Sequence, residues 1–531
     1  MNWRAPTFID PSNRFLPWLI LANVIFATVI GIISATAGYI TDSTIQGALQ
    51  MSDDNLRWIS VSFIMMLGII LPLGVYLAVK YGFKIIFFLG LAVLVFGSLL
   101  NGLAFDFWSL LISRIIGGAG AGALFPLSIA IIAQTFPKEK LALPLALYVG
   151  LGFGIGTVLG YLVGGYFVQY ISWQSSFYLC AVLGVPSLLA TALLHQETEP
   201  TVGSKFDTGG YVAFIVFIST LLMILNSAKA AWNTEGWTSP FILTCSALSV
   251  LSLVVLIILE LRNPHPLIVF SLFKTKSFLL GCITIFFVGA PLYCTQILSV
   301  TFLDYDLHYE KHTIGLYLLT CGLTLGIVSS CAAFLTKFFN IRFLALIGMA
   351  LITISCWINP KVTIYSSHGQ LLWMWNLRMI GIGLSLGPAT AYAMSEIGPA
   401  LGGAASVFIT FARQIGGTIG SLSAQVVTIE RQEFHNEMFG SQIDTASPAF
   451  QTVLRNLESH LIHNTGAIPA EASQTAASLI RANVLTQSHA TAQNDAFFLL
   501  GIATLVICIS IFLEMVWEAF KKRRSALPAV K

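Results

Sequence analysis

Apolar runs of about 20 residues recur along the chain from Pro17 to Trp517, separated by short polar, Gly- or Pro-bearing turns. A helix of that length crosses ~30 Å of hydrocarbon. The pattern predicts fourteen spanning helices, beginning near Phe15, Leu56, Phe83, Phe107, Leu141, Trp173, Asp207, Thr238, Ser277, His312, Ile341, Gly369, Leu401 and Asp495. Most connections are short, which suits antiparallel neighbours. The exception is the long polar stretch 429–494. Within it Phe450, Val453, Leu454, Leu457 and Leu461 recur at three- and four-residue spacing, which predicts at least one amphipathic helix. That helix is read either as a cap packed on one face of the bundle or as a docking surface for a second protein.

Composition agrees with the pattern. Of 531 residues 56% are hydrophobic and 10% charged, with mean hydropathy +0.82, whereas soluble domains carry roughly 25% charged residues. The chain is an all-α polytopic membrane protein, with the lipid bilayer as its surroundings. A net charge of +3, and no basic run outside Lys521-Lys522-Arg523-Arg524, argue against nucleic acid as a partner. The eight cysteines all fall in apolar stretches without a Cys-x-x-Cys pair, so they read as packing residues, and no metal site is expected. There is no Gly-Lys dipeptide and no His-Glu-x-x-His, so no enzyme chemistry is expected. Basic residues gather on alternate connections, at Lys80, Lys84, Lys138, Lys140, Lys205, Arg262, Lys274, Lys276, Lys337, Arg342 and the C-terminal cluster, with Arg4, Arg14 and Lys531 at the ends. The positive-inside bias therefore places both termini in the cytoplasm.

An internal echo divides the chain. Arg114-Ile-Ile-Gly-Gly-Ala-Gly followed by Pro126 in the fourth span matches Arg378-Met-Ile-Gly-Ile-Gly followed by Pro388 in the twelfth. The turn Leu77 to Lys84, ending at Gly90, matches Leu335 to Arg342, ending at Gly348. Two six-helix halves follow, as in transporters built from repeats. The expected division is a cytoplasmic N-terminus 1–14, an N-terminal half 15–195, an inserted helix pair with its linkers 196–275, a C-terminal half 276–519 that contains the 429–494 loop, and a basic tail 520–531.

Charge inside hydrocarbon is costly and marks a partner or a watery cavity. Arg114, Arg378 and Arg413 lie within spans, each readable as a helix clamp or as a ligand or proton-site residue. No Asp or Glu falls at the middle of a span. Asp42, at the outer end of the first span, is the acid best placed for proton coupling, while Glu260 and Glu514 read as solvated rims and the histidines as loop or helix-end residues. Asn226 and Gln296 are polar within apolar runs and are candidate cavity residues. Gly152, Gly156, Gly160 and Gly164 line one helix face and predict a close-packed seam, readable also as the place where two halves slide.

Several stretches resemble the major facilitator superfamily, most of all its fourteen-span drug:proton antiporters of EmrB type. Gly74-Val-Tyr-Leu-Ala-Val-Lys80-Tyr-Gly82-Phe-Lys84 resembles the family's inner-loop gating motif, with Ala78 or Val79 in place of its acid. Arg114 to Ser128 resembles the fourth-span motif, with Gly117 where glutamine is usual. Gly160-Tyr161-Leu-Val-Gly164-Gly165 resembles the fifth-span antiporter motif, with Tyr161 for its proline. His265-Pro-Leu-Ile, Leu272-Phe273, Ala405-Ser406, Arg413 to Gly420 and Arg431 to His435 resemble the fourteen-span branch. Aligned without gaps back from Trp58, Ser34 stands where that family carries its membrane-embedded aspartate. A gapped alternative places Asp42-Ser-Thr-Ile45 on the family's Asp-x-Thr-Ile instead.

The resemblance implies a bacterial inner-membrane secondary transporter that rocks two halves about a midplane cavity. It would need no cofactor beyond a proton gradient, and would export a small organic solute in exchange for protons. Three buried arginines without a mid-span carboxylate point to an anionic or polar solute. The alternatives are an importer or facilitator of an anionic nutrient or carboxylate siderophore, and a membrane scaffold without transport. The resemblance also implies a periplasmic membrane-fusion adaptor and an outer-membrane channel as partners of the long loop.

Overall fold

A computed structural model describes residues 15–137, 140–197, 206–263, 269–336, 338–398, 401–466 and 468–526. The 1–14 segment, the His265-Pro-Leu-Ile run, the end of the basic tail from 527, and Lys138, Lys205 and Lys337 lie outside the described residues.

The N-terminal half comprises α1 (Leu16–Ala48), α2 (Asp53–Tyr81), α3 (Phe83–Gly102), α4 (Phe107–Thr135), α5 and α6 (Trp173–Leu194). In α5, Ala142–Leu147 runs through a π-helical segment, Tyr148–Ile155, into Gly156–Tyr170. The inserted pair is α7 (Thr208–Ser227) and α8 (Pro240–Arg262). The C-terminal half comprises α9 (Lys276–Thr301), prolonged by a π turn Phe302–Asp306, then α10 (Lys311–Leu335), α11 (Ile341–Ile358), α12 (His368–Met394) and α13 (Gly402–Gln442). After the separate helix α14 (Pro448–Thr465), α15 (Pro469–Ala526) completes it. Among the described residues twelve helices are long and apolar enough to cross a membrane. The less apolar α12 and α13 pack among them, an arrangement that fits fourteen spans.

The predicted boundaries differ in two places. Asp42 does not follow the first helix but lies inside it, because α1 runs on to Ala48. The 429–494 stretch is helical through most of its length. α13 continues to Gln442, α14 forms where the amphipathic pattern predicts it, and α15 starts at Pro469, well before Asp495. An Ala-rich run free of Gly and Pro from Ala470 to Leu500 favours that early start. On α14, Phe450, Leu454, Leu457 and Leu461 are half-buried, whereas Val453 faces outward at 52% exposure. Arg431 and His435 of α13 meet Asp495 of α15 at 2.5 and 2.8 Å, tying the two extensions into a cap.

The repeat is visible in the packing. Arg114 of α4 stacks on Phe177 of α6 at 4.9 Å and donates to α1, while Arg378 of α12 stacks on Phe497 of α15 at 3.9 Å and donates to α9. At the face bearing the termini, the backbone N–H of Lys84 donates to Glu197, just beyond α6. In the other half Arg342 meets Glu514 of α15 at 3.9 Å, and Lys276 meets the same carboxylate at 2.7 Å. An acid thus stands beside the inner-loop motif from just after the sixth helix of the half. Gly82 reaches this position through a φ of +109°, open to glycine and strained for other residues. Gly74 lies against Ala123 of α4, and Lys80 extends outward beside the rings of Tyr76 and Tyr81.

Glu514 is therefore paired, and Glu260 is 3% exposed beside Asp207; neither is the solvated rim expected. His195 is 2% exposed, with its ring near Asn23 and stacked on Phe87. Burial, and then Lys84, push its imidazole down to about 4, so it is neutral at physiological pH.

The glycine face of α5 has a different neighbour from the one a sliding seam would need. Gly152, Gly156, Gly160 and Gly164 pack on Thr28, Ile32, Thr36 and Ala37 of α1, inside the N-terminal half. The contact between halves uses the adjacent face, where Gly150, Gly154 and Gly165 meet Gly326, Ser330, Gly315 and Lys311 of α10. The π segment widens the helix between these two faces, and its three glycines offer no side chain to hold the tighter α winding. On the other side of the bundle, α7 lays Ala213, Phe214, Ile218 and Leu222 over Val61 and Ile69 of α2 and Ile415 and Leu422 of α13. The inserted pair thereby covers the second seam between halves.

A Cβ on Gly154 would sit 2.3 Å from the Gly326 Cα, whereas one on Gly440 meets nothing within 4 Å. Gly154→Val is expected to cost about 1–3 kcal/mol from overpacking and to stop solute flux, with Gly440→Ala unchanged in both. Thermal melting of the purified variants and flux in proteoliposomes check this.

Candidate functional site

Two adjoining spaces lie between the halves. A vestibule of about 550 Å³ occupies the cap side, within the range of small-molecule sites. Below it a chamber of about 40 Å³ has room for a few waters and no organic solute. Tyr39, Ser60 and Ile64 line both. Towards the termini the chamber ends on an aromatic floor. Phe125 and Phe153 lie 6.0 Å apart, Tyr148 packs edge-on to Phe153, and the Tyr148 hydroxyl donates to the Phe125 carbonyl. The bundle is closed on that side and hollow on the cap side.

One face of α1 carries Ser34, Gly38 and Asp42 at intervals of four, one above another along the helix, and of these Asp42 lines the vestibule. Arg114 lies across this stripe. Its Nη1 donates to the Ser34 carbonyl at 3.1 Å, its Nη2 occupies the space that a Cβ on Gly38 would need, and Asp42 is within electrostatic reach. Asp42 accepts from the Ser60 hydroxyl at 3.4 Å and leaves its Oδ1 buried without a partner. Both alignments of the first span therefore lead to the same arginine, one through Ser34 and the other through Asp42. Arg114 is a carbonyl clamp and a lining residue at once: it is 3% exposed, lines the chamber, and keeps its Nε unpartnered.

The other candidates separate. Gln296 lines the chamber and Asn226 the vestibule, each 4% exposed with its amide oxygen unpartnered. Arg378 lines neither. Fully buried, it donates to Thr295 at 3.0 Å and to Asn359 at 2.6 Å, which places it as a clamp inside the C-terminal half. Arg413 lies against the chamber floor, its guanidinium 3.8 Å from the centre of the Phe153 ring. Among the described residues no group of three or more His, Cys, Asp or Glu could hold a metal ion.

Several lining residues escaped the sequence reading. Tyr39, Tyr293 and Gln414 line the chamber, and the Tyr293 hydroxyl donates to Gln414. Tyrosines within spans are common on lipid-facing and buried positions alike, so type alone does not single these out. The signal available was placement: Tyr39 is one turn before Asp42, and Gln414 adjoins Arg413. At the vestibule wall, Lys311 of α10 donates to Ser43 of α1 at 2.5 Å and pairs with Asp304 at 2.6 Å, a polar tie between halves. Opposite, Asp54 accepts from the Ala231 backbone, and Lys229 meets Glu430 at 3.5 Å. The loop joining α7 to α8 is thus clipped to both α2 and α13.

A Cβ on Gly38 would lie 2.6 Å from the Arg114 Nη2. Gly38→Ala is expected to push the guanidinium off Ser34 and lower solute flux about tenfold, while stability changes by no more than about 1–2 kcal/mol, since the displaced group is a side-chain tip. Flux in proteoliposomes set beside the melting curve separates the two effects.

Residues 19–421 match the Major Facilitator Superfamily. The chain is 24% identical to the uncharacterized MFS-type transporter YhcA of Bacillus subtilis (strain 168), over 91% of each chain. It is 23% identical to the colistin resistance protein EmrB of Acinetobacter baumannii, over 95% of this chain and 97% of that one. To the probable multidrug resistance protein EmrY of Escherichia coli (strain K12) it is 23% identical, over 93% and 94%. Among solved structures, a bacterial homolog to the human lysosomal transporter Spinster, in an inward-facing and unoccupied conformation, superposes with a TM-score of 0.56 at 15% identity, over 95% of this chain and 99% of that one. The human organic anion transporter MFSD10 (TETRAN) does so with a TM-score of 0.54 at 12% identity, over 92% and 100%. At these identities the structural likeness speaks for the fold.

Proposed function

Because the chain belongs to the Major Facilitator Superfamily and is a transporter, not an enzyme, we propose that it exports small organic solutes, drug-like or anionic, in exchange for protons by alternating access. The relatives named for colistin and multidrug resistance support export. The observation that carries proton exchange is Asp42, a carboxyl where the vestibule meets the chamber, within reach of an arginine that lines that chamber. A proton entering from the cap side reaches Asp42 through the vestibule. Neutralising Asp42 removes its attraction for Arg114 and changes the charge balance at the junction of α1, α2 and α4. Rocking about the α5–α10 seam then carries the proton to the other side. The proton gradient is the only energy source in this scheme, with no cofactor.

In this reading the protein sits in a bacterial inner membrane with its termini in the cytoplasm and the cap in the periplasm. The cap of α13, α14 and α15 is then the surface available to a membrane-fusion adaptor and an outer-membrane channel. A second reading, uptake of an anionic solute, is favoured by the free Nε of Arg114. An anion that took Arg114 from Asp42 would favour protonation of Asp42, so solute and proton would travel together.

Proteoliposomes containing the full chain distinguish the two. Proton release on adding a solute is expected, with at least a tenfold loss in Asp42→Asn and no change in Ser34→Ala. Proton uptake with the solute, or release unaffected in Asp42→Asn, overturns the export scheme.

A further inference from the structure

Among the described residues three arginines are buried, and their partners differ. Arg378 has two side-chain hydrogen bonds. Arg114 has the Ser34 carbonyl and the neighbouring carboxyl of Asp42. Arg413 is 3% exposed, and its Nε and Nη2 have no hydrogen-bond partner. The side chains that act on it electrostatically are the phenols of Tyr293 and Tyr148, and no carboxylate pairs with it among the described residues. The Phe153 ring face offsets part of the desolvation cost, since a cation–π contact recovers only a fraction of what a buried charge loses. A buried guanidinium with idle donors is left in need of an anion.

Its surroundings say which kind. Phe153 and Tyr293 separate Arg413 from the chamber and line it, together with Phe63, Phe125 and Gln296. An acid head that turned the Phe153 ring aside, enlarging a chamber that as it stands holds only a few waters, would reach the Nε and Nη2 of Arg413 and leave its apolar body among these aromatic side chains. We propose that Arg413 is the anion-binding residue of the transport pathway, and that its ligand is a small aromatic carboxylate or sulfonate. The proposal rests on the transport reading above and adds the substrate's chemical class. It also divides the work between the halves. An anion held by Arg413 on α13 does not compete with Asp42 for Arg114, so proton and solute remain free to move in opposite directions.

The test uses the purified full chain and three probes, 1-naphthoate, 1-naphthalenesulfonate and the uncharged 1-naphthamide, with affinities read by calorimetry. Wild type is expected to bind the two anions about 10- to 100-fold more tightly than the amide, the range of one charge-assisted hydrogen-bond pair. Arg413→Gln should abolish that difference and leave the amide unchanged. Arg413→Lys should retain part of it, and Arg114→Gln should preserve it. Equal wild-type affinity for acid and amide, or no binding of either, overturns the proposal without reference to any variant. So does anion binding that survives Arg413→Gln or is lost instead in Arg114→Gln. Should Arg413→Gln fail to fold, as seen by melting and gel filtration, the wild-type acid-to-amide ratio and the Arg413→Lys and Arg114→Gln affinities decide. Proton release evoked by a neutral or cationic solute would uphold the transport reading even if this anion site failed.

Discussion

A guanidinium taken out of water loses several kcal/mol of solvation unless charge or hydrogen bonds replace it, and this bundle bears that loss three times. Much of the architecture follows from how each loss is offset. Arg378 is enclosed by the C-terminal half through Thr295, Asn359 and Phe497, which fastens α9, the end of α11 and α15 to α12. Arg114 needs Gly38, because a larger residue there would occupy the place of its Nη2. Arg413 is only covered, by a phenyl ring from the opposite half. Arg378, with two side-chain hydrogen bonds, lies deep in one half and leaves only its Nε idle, while Arg114 and Arg413 border the space between halves.

The two halves repeat in their contacts as well as in their motifs. Each places an arginine of its fourth helix against a phenyl of its last helix and a donor contact on its first. Each also fastens the turn before its third helix to an acid at the end of its last. The N-terminal copy leaves its arginine at the chamber, while the C-terminal copy buries it completely. The pair α7 and α8 belongs to neither copy. Its place over α2 and α13, and its loop clipped to both, make it part of the junction.

Much of this was legible in the sequence because hydrocarbon imposes one long apolar run per span, and because the repeat motifs are local. The fourteen helices, the two halves and the amphipathic α14 come from such signals. What escaped depends on contacts distant in the chain. Glu197 stands beside the inner-loop motif from more than a hundred residues away. The glycine stripe of α5 was evident, but which neighbour it faced was not, since α1 and α10 both offer small residues. The π segment has no compositional mark beyond its glycines. At the site, Arg114, Asn226 and Gln296 stood out as polar groups in apolar runs and Asp42 as an acid at the outer end of the first, whereas Tyr39, Tyr293 and Phe153 resemble dozens of other aromatic residues in the spans.

The unbroken course of α15 has a mechanical consequence. At 1.5 Å per residue, its start at Pro469 lies roughly 55 Å from the midpoint of its membrane-crossing part. A helix that passes from the bilayer core to the tip of the cap acts as a lever arm. Tilting the C-terminal half by about ten degrees would swing that tip through roughly 10 Å, far more than any displacement near the pivot. The contacts of Arg431 and His435 with Asp495 bind α13 to the same arm, so the cap would swing as one body. Whatever rests on the cap would therefore receive each turnover as a stroke, and a load placed there would in turn resist the cycle.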